Sequence, residues 1–386
     1  MIFFIDNPLN FLCIILAYFG IFKEFAYDLK HRIKLDDSSL ALTSINDASL
    51  LYHIKLSQDE EHSTYGGIVP EIASRLHAQR LPEILKKLKA FLNNDLSPIK
   101  AVAVTTRPGL SVTLIEGLMM AKALCLGLQV PLICVNHLKG HIYSLLIHKA
   151  TSDIQAILPK NTSLPQPLGI LLVSGGHTQI LHMRDFNAIS LIAQSLDDSF
   201  GESFDKVAKY LGLGYPGGPI IESYATTFMR DFPHIAPHNF PVPLLHNQKL
   251  QFSFSGLKNA VRLAIQALPQ PLSPKDRGSI CAGFQQSACE HIVRKVRLYF
   301  QSAQAQDLEH FAIVGGASAN TYLRTTLNEL CEEYNKQLHL ADLAFCADNA
   351  AMIGVCAIEH YKRGDFTPID EAQISPKSLP TDFCEK

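Results

Sequence analysis

Residues 169–183 read GILLVSGGHTQILHM, a short apolar run, a Gly-Gly turn and a second apolar run that together resemble a β-hairpin. Elsewhere a different unit recurs, in which a short apolar run leads into a helical pattern. Such runs are AVAVT at 101–105, VPLICV at 130–135 and FAIV at 311–314. Because strands that alternate with helices are typical of the α/β class, the sequence predicts that class.

Composition excludes several kinds of protein. The chain has 386 residues, of which 47% are apolar and 18% charged, so it can bury a core and fits about two domains. A formal net charge of −2 argues against binding nucleic acid by overall charge, so such a partner would need a local basic patch or other subunits. Nine cysteines without a C-x-x-C pair indicate reduced thiols in a cytosolic protein rather than disulfides or a cysteine zinc site.

The start of the chain carries an unusual apolar run, FLCIILAYFGIF at residues 11–22. As a helix it would reach about 18 Å, whereas a bilayer span needs about 20 residues. No Lys or Arg precedes the run, which disfavours a signal peptide. We therefore expect a buried or interfacial helix, or a leader outside the fold, and no membrane partner.

The stretch NHLKGH contains a candidate metal-binding pair, His137 and His141. Histidines four residues apart lie on one face of a helix, which suits two ligands of one divalent metal; two ordinary surface histidines are the alternative. Leu138 stands where a zinc protease of the H-E-x-x-H type carries its general base, which argues against that class. Asp348 could give a third, oxygen ligand, or could be an ordinary helix N-cap.

Two glycine-rich turns are candidates for binding a phosphate or a nucleotide. SGG at 174–176 lets the backbone approach a ligand, or simply closes a β-turn. GGASAN at 315–320 joins a strand to a helix start, where Asn320 could bond a ribose or base, or merely cap the helix. This pattern is neither a Rossmann fingerprint nor a P-loop. Asp205 could bind a hydroxyl or amino group, or be a surface carboxylate near a helix start.

These motifs occur in order with several longer ones, among them STYGGIVPEIASRLH, TTRPGLSVTLIEGL, DDSFGESFDKVAKYLGLGYPGGP, FSFSGLKNAV and CADNAAMIG. Over roughly residues 35–365 the set resembles the tRNA N6-adenosine threonylcarbamoyltransferase family, called TsaD in bacteria and formerly the O-sialoglycoprotein endopeptidase or glycoprotease family. The resemblance implies an actin/sugar-kinase/Hsp70-like α/β fold with two lobes around a central cleft. It also implies transfer of a threonylcarbamoyl group from threonylcarbamoyl-adenylate to N6 of adenosine 37 in tRNAs that read codons beginning with A.

The resemblance further implies the site residues and the partners. His137, His141 and Asp348 match the family's metal ligands, for iron(II) first, with zinc or magnesium as alternatives. The positions that match those holding the adenylate are Leu172, Val173, Ser174, Gly175, Gly176, Asp205, Gly218 and Asn320. No residue is identified as a catalytic general base. The implied partners are tRNA, a paralogous TsaB-like dimer partner and a TsaE-like ATPase, in the cytoplasm.

The first residues depart from the family pattern. DDSS at 36–39 matches the second half of the family's acidic loop, but residues 31–35 do not supply the apolar strand expected before it. We therefore expect residues 1–34 to be an atypical N-terminal extension, and the N-terminal lobe to lack a central strand. That lobe is expected to comprise residues 35–140 with 350–375, and the C-terminal lobe residues 141–349.

Three other functions are compatible with parts of the pattern. A metalloprotease of glycoproteins is suggested by the histidine pair and disfavoured by Leu138. A small-molecule kinase of the same fold would leave the two histidines without an obvious purpose. A non-catalytic scaffold in a multi-subunit complex would be compatible with the atypical start.

Overall fold

The computed structural model describes the backbone of residues 11–17, and residues 38–56, 70–147 and 163–377. The chain forms two compact units, Met1–Leu164 with Asp348–Phe383, and Pro165–Ala347 with Cys384–Lys386. It passes from one unit to the other after Leu164 and returns after Ala347, where the sequence predicted 140 and 349. Each unit contains a five-stranded sheet and helices, so the α/β prediction is confirmed.

The sheet of the first unit has the strand order β3-β2-β1-β4-β5. Its strands are β1 Phe11–Ala17, β2 Ser38–Ser44, β3 Leu50–Leu56, β4 Ile99–Arg107 and β5 Leu132–Asn136. β1, β2 and β3 pair antiparallel in succession, whereas β1, β4 and β5 are parallel. The helices that follow in this unit are α1 Pro70–Phe91, α2 Ser111–Leu128 and α3 His137–Tyr143.

The first strand overturns two predictions about the start of the chain. The run at 11–22 was expected to be a buried or interfacial helix or a leader outside the fold, and the sheet was expected to lack its first strand; instead residues 11–17 form β1 between β2 and β4. Ile14 pairs with Ala41 on one side and with Ala103 on the other. A strand inside a covered sheet is a continuous apolar run, and periodicity does not distinguish such a run from a buried helix. The rest of the run, residues 18–22, lies outside the described residues.

Helix α2 is apolar on almost every side. Leu114, Leu118 and Ala121 are buried, and α2 packs on β4 and α1, while Met119 and Leu126 on another face are 58% and 66% exposed. Among the described residues it is also the one helix long and apolar enough, by length and composition alone, to cross a membrane.

The second unit has the strand order β10-β9-β6-β7-β8. Its strands are β6 Leu168–Val173, β7 Thr178–Asp185, β8 Ala188–Gln194, β9 His310–Val314 and β10 Gln337–Leu340. Its helices are α4 Phe200–Tyr210, α5 Gly217–Asp231, α6 Ser255–Ala267, α7 Pro274–Phe300, α8 Thr321–Glu333 and α9 Leu343–Cys346. The hairpin predicted from residues 169–183 is confirmed as the antiparallel pair β6 and β7. β6 and β9 are parallel neighbours, so the glycine-rich turns that follow them lie at the same edge of the sheet.

The chain then returns to the first unit with helix α10, Ala350–Arg363. Most of α10 is buried, because it packs against the sheet and against α3. The approach to α3 is close: a Cβ at Gly140 would lie 2.5 Å from Ile353 Cδ1. This packing brings the start of α10, and Asp348 just before it, next to the two histidines of α3.

Candidate functional site

Helix α3 begins where β5 ends, and its first residues are set by a local cap. The Asn136 side-chain oxygen accepts the backbone N–H groups of Leu138 at 2.8 Å and Lys139 at 3.5 Å. His137 and His141 therefore lie one turn apart, with ring centroids separated by 4.6 Å. Both imidazoles are buried, which confirms the common face and excludes the alternative of two ordinary surface histidines.

Asp348 meets both histidines in the first unit. Its Oδ1 atom lies 2.7 Å from His141 Nε2 and 3.3 Å from His137 Nε2. The ligand atoms of these three residues all lie within 4.8 Å of one another. The alternative interpretation of Asp348 as the cap of α10 is wrong, because Asn349 is the N-cap residue and its side-chain oxygen accepts the N–H of Met352 at 2.9 Å.

Asp348 brings a negative charge to this group. Burial by itself would raise the pKa of Asp348, but the charge of His141 and hydrogen bonds from both histidines outweigh it and hold that pKa well below its usual range. Nδ1 of His141 is buried without a hydrogen-bond partner among the described residues. Ligands placed about 2.1 Å from one ion stand about 3.0 Å apart in octahedral and about 3.4 Å apart in tetrahedral coordination. The 3.3 Å between Asp348 Oδ1 and His137 Nε2 lies in this range, and the 2.7 Å to His141 Nε2 is a hydrogen-bond distance that would lengthen slightly around an ion. Two imidazole nitrogens and a carboxylate can therefore hold one divalent metal here.

The predicted phosphate-binding turn after β6 is built around Ser174. Its hydroxyl oxygen accepts the N–H groups of Gly176 at 3.3 Å and His177 at 3.1 Å, and its own N–H donates to the carbonyl of His177 at 2.9 Å. Leu172 and Val173, which precede the turn, are fully buried in β6. The arrangement fixes the backbone of the turn at the end of the strand.

The N-terminus of α4 lies against this turn. The Ser199 hydroxyl donates to the carbonyl of Gly175 at 2.7 Å and accepts the N–H of Glu202 at 3.1 Å, so it caps α4 and joins it to the turn. The approach requires glycine, since a Cβ at Gly201 would lie 2.8 Å from both Gly175 Cα and the Ser174 carbonyl oxygen. A helix N-terminus beside a turn of this kind presents N–H groups to an anion.

Asp205 and Gly218 lie where α4 meets the start of α5. Asp205 Oδ1 accepts the N–H of Gly217 at 2.8 Å. A Cβ at Gly217 would lie 2.6 Å from Asp205 Cα, so the two helices are in direct backbone contact there. Gly218 differs from its neighbour, because no atom lies within 4 Å of the place its Cβ would take. The surface-carboxylate alternative for Asp205 is therefore incomplete, since this side chain fixes the start of α5.

Both polar atoms of the Asn320 side chain form hydrogen bonds within the protein. Its oxygen accepts the N–H of Leu323 at 2.8 Å, which caps α8, and its Nδ2 donates to Gln285 Oε1 at 2.9 Å. The capping alternative is therefore confirmed, and a contact with a ribose or base stays a prediction. Sequence reasoning missed Glu222 of α5, whose carboxylate accepts the N–H of Thr321 at 2.7 Å and also its hydroxyl. No local pattern pointed to Glu222, because its partner lies on another helix.

Two aspartates before α4 were also missed. Asp198 pairs with Lys206 at 2.6 Å and with Lys258 at 2.5 Å. Asp197 accepts the hydroxyls of Ser253 at 2.5 Å and Ser255 at 2.7 Å. Burial would raise the pKa of Asp197, but these hydrogen bonds and two from backbone N–H groups lower it overall. The adjacent acidic pair at the start of DDSFGESFDK was the available signal, and its role is to join the start of α4 to the start of α6.

Comparison with known proteins gives consistent matches. A sequence profile described as "TsaD: tRNA N6-adenosine threonylcarbamoyltransferase" matches residues 49–355. A Helicobacter hepaticus protein named tRNA N6-adenosine threonylcarbamoyltransferase is 98% identical over 348 residues, covering 90% of this chain and 97% of that protein. A Helicobacter pylori J99 protein of the same name is 52% identical over 349 residues, with the same coverage of 90% and 97%.

Solved structures show likeness of fold. Full-length HypF in its phosphate- and nucleotide-bound form matches with a TM-score of 0.53 at 13% identity, covering 94% of this chain and 57% of that one. At this identity the likeness concerns the fold alone, and it agrees with the actin/sugar-kinase/Hsp70-like class expected from the sequence.

Proposed function

The chain belongs to the tRNA N6-adenosine threonylcarbamoyltransferase family, and from that membership we infer which of its residues serve the reaction. It is an acyltransferase that modifies tRNA at N6 of an adenosine. We propose that the donor is threonylcarbamoyl-adenylate and that the acceptor is adenosine 37 of tRNAs that read codons beginning with A. The metalloprotease and kinase alternatives are not favoured, since these relatives carry the transferase name.

The convergence of His137, His141 and Asp348 carries the proposal for the metal. We propose that these residues hold one divalent cation, iron(II) first, with zinc or magnesium as alternatives. When bound, the cation would supply positive charge that polarises the carbamoyl carbonyl and stabilises the departing phosphate. The protein's part is to hold both Nε2 atoms on one helix face and to keep the Asp348 carboxylate ionised.

The second unit is proposed to hold the adenylate. The backbone N–H groups of Gly175 and Gly201 would face its phosphate, since those of Ser174, Gly176 and Glu202 donate within the protein. Gly218, with open space around it, would let the ligand approach the start of α5 closely. Asp205 and Asn320 would act on the same site, since one fixes the start of α5 and the other caps α8. Leu172 and Val173 would form its buried wall at the end of β6.

A paralogous, TsaB-like partner is proposed to cover the outward face of α2. Ile115, Met119 and Leu126 on that face are 46%, 58% and 66% exposed, although α2 already buries its other face. A helix that is apolar on both sides is ordinarily buried on both sides. Because the net charge of −2 gives weak attraction for tRNA, a second subunit would also supply part of the tRNA-binding surface. A TsaE-like ATPase and a cytoplasmic location complete the proposal.

A reconstituted transfer reaction tests the metal assignment. The purified chain, its partner proteins, synthesised threonylcarbamoyl-adenylate and unmodified tRNA are combined, and mass spectrometry of the digested nucleosides reports threonylcarbamoyladenosine. We expect His141→Ala to lose both the product and the bound metal, while His246→Ala, at an exposed position outside the site, keeps both. The Helicobacter pylori relative serves as a positive control for the partners and substrates. Full activity in His141→Ala would contradict the metal proposal.

A further inference from the structure

The hairpin of β2 and β3 reaches the segment that carries Asp348. Ser39 in β2 is buried, and its hydroxyl oxygen lies 3.1 Å from His53 Nε2 and 3.1 Å from the carbonyl oxygen of Ile54, both in β3. The same oxygen accepts the N–H of Ala350, the first residue of α10, at 3.2 Å. One side chain thus joins two strands to the start of a helix.

The Ser39 hydroxyl has no hydrogen-bonding capacity to spare. A serine hydroxyl offers one proton and two lone pairs. Here the proton goes to the carbonyl of Ile54, and one lone pair accepts the N–H of Ala350. The other lone pair accepts from His53 Nε2 when that nitrogen carries the ring proton, the tautomer that these two bonds require. A hydroxyl that makes all three bonds is fixed in orientation, and so is the N–H of Ala350 that it accepts.

Asp348 lies just before this anchored residue. The backbone carbonyl of Asp348 accepts a hydrogen bond from Lys55 Nζ of β3 at 3.2 Å. After it, Asn349 caps α10 through the N–H of Met352. The hairpin therefore holds the backbone at Asp348 itself and again at Ala350.

We propose that Ser39, assisted by Lys55, is a positioning residue that sets the Asp348 carboxylate at its distance from the two histidines. The inference rests on the proposed metal site at His137, His141 and Asp348. Residues that orient a metal ligand without touching the metal typically change metal affinity by about 10–100-fold when removed. None of the hydrogen bonds of Ser39 involves His137 or His141, so its effect on the metal site would pass through the backbone of α10 alone.

The adjacent Ser38 provides a matched control. It is equally buried, and its hydroxyl bonds His77 Nδ1 of α1 at 2.8 Å rather than α10. Successive residues of a strand point to opposite faces. Ser38→Ala and Ser39→Ala therefore each remove one buried hydroxyl from β2, but only Ser39→Ala frees the start of α10.

The test is the dissociation constant for zinc, measured by competition with a chromophoric chelator, and the melting temperature of each metal-free variant. We expect Ser39→Ala to raise the dissociation constant at least about tenfold and Ser38→Ala to leave it unchanged. Both melting temperatures should fall, and that of Ser39→Ala further, because its hydroxyl makes three hydrogen bonds and that of Ser38 one. Ser39→Thr, which keeps the hydroxyl, should restore the affinity. Equal affinities in Ser38→Ala and Ser39→Ala would overturn the inference.

Two further variants keep the test decisive. Lys55 is exposed, so Lys55→Met should fold normally, and we expect it to raise the dissociation constant by a smaller factor; it decides the matter if Ser39→Ala does not fold. His141→Ala separates the two proposals. If it binds zinc as the unmodified chain does, the metal site itself is wrong. If it loses zinc while Ser39→Ala and Lys55→Met bind normally, only the positioning role is wrong.

Discussion

Gly218→Ala tests the adenylate proposal without disturbing the fold. No atom lies within 4 Å of the position that a Cβ at Gly218 would take, and the residue is in the first turn of α5. Alanine is favoured over glycine in a helix by up to about 1 kcal/mol. The free energy of unfolding should therefore stay the same or rise by no more than that amount.

Gly217→Ala is the contrasting variant. A Cβ at Gly217 would lie 2.6 Å from Asp205 Cα and 2.6 Å from the Phe204 carbonyl oxygen, both backbone atoms of α4. Since neither can swing aside, α4 and α5 must separate, and overpacking of this kind costs about 1–3 kcal/mol. For a unit of this size each kcal/mol lowers the melting temperature by about 2–4 °C.

The assay is the steady-state transfer reaction, with the KM for threonylcarbamoyl-adenylate and for tRNA measured separately. If the ligand approaches Gly218, the added methyl group must displace it, and a clash of about 1–3 kcal/mol raises the KM for the adenylate by about 5–150-fold. The KM for tRNA should stay unchanged. A Gly218→Ala enzyme with an unchanged melting temperature and an unchanged KM for the adenylate would refute the placement of the ligand at this helix start.

Three further predictions concern other parts of the chain. Asp205→Asn keeps an oxygen for the N–H of Gly217, so its melting temperature should stay near that of the unmodified chain while the KM for the adenylate rises; Asp205→Ala should also lose about 1–3 kcal/mol of stability. Burial, with a contribution from Lys295, lowers the pKa of His291 to about 4. The unfolded chain, with a His pKa of about 6.5, therefore takes up this proton first as the pH falls, and stability should decline between about pH 6.5 and 4 by up to about 3 kcal/mol. Urea midpoints at pH 7 and pH 5 should show a smaller decline in His291→Gln. Met119→Glu should leave the melting temperature unchanged and weaken binding of the paralogous partner at least about tenfold in calorimetry, because it places a charge on an apolar interface; unchanged affinity would move the interface elsewhere.

The metal site shows which parts of a site a sequence can predict. The common face of His137 and His141 follows from helix geometry and holds once Asn136 starts the helix. That Asp348 joins them depends on the packing of α10 against α3, which no local pattern encodes. The residues alone left Asp348 as either a third ligand or a helix cap, and only the family resemblance favoured the ligand. The same limit explains why Ser39 was not identified: its partners lie on another strand and another helix.

The first strand and Asn320 show where local patterns are ambiguous. Residues 11–17 are apolar throughout, and such a run fits a central strand as well as a buried helix, so only the sheet pairing decides between them. Asn320 at a helix start can cap the helix or bind a ligand. The structure assigns its oxygen to the cap and its nitrogen to Gln285 of α7, a residue that sequence proximity does not suggest.

The two halves of the proposed chemistry belong to different compact units. The metal residues lie in the first unit, which includes Asp348, and the adenylate residues lie in the second. Each ligand set is held by contacts within its own unit, such as Ser39 with Ala350 and Asp205 with Gly217. Zinc affinity should therefore be unaffected in Gly218→Ala.

The converse measurement is the KM for the adenylate in Ser39→Ala, a variant of the first unit. If a bound metal lowers the KM for the adenylate, Ser39→Ala at saturating metal should show the KM of the unmodified chain, because the defect is one of metal affinity. If the KM stays raised at saturating metal, Ser39 affects the adenylate by a route other than occupancy of the metal site. Measuring the KM across a metal titration distinguishes these outcomes.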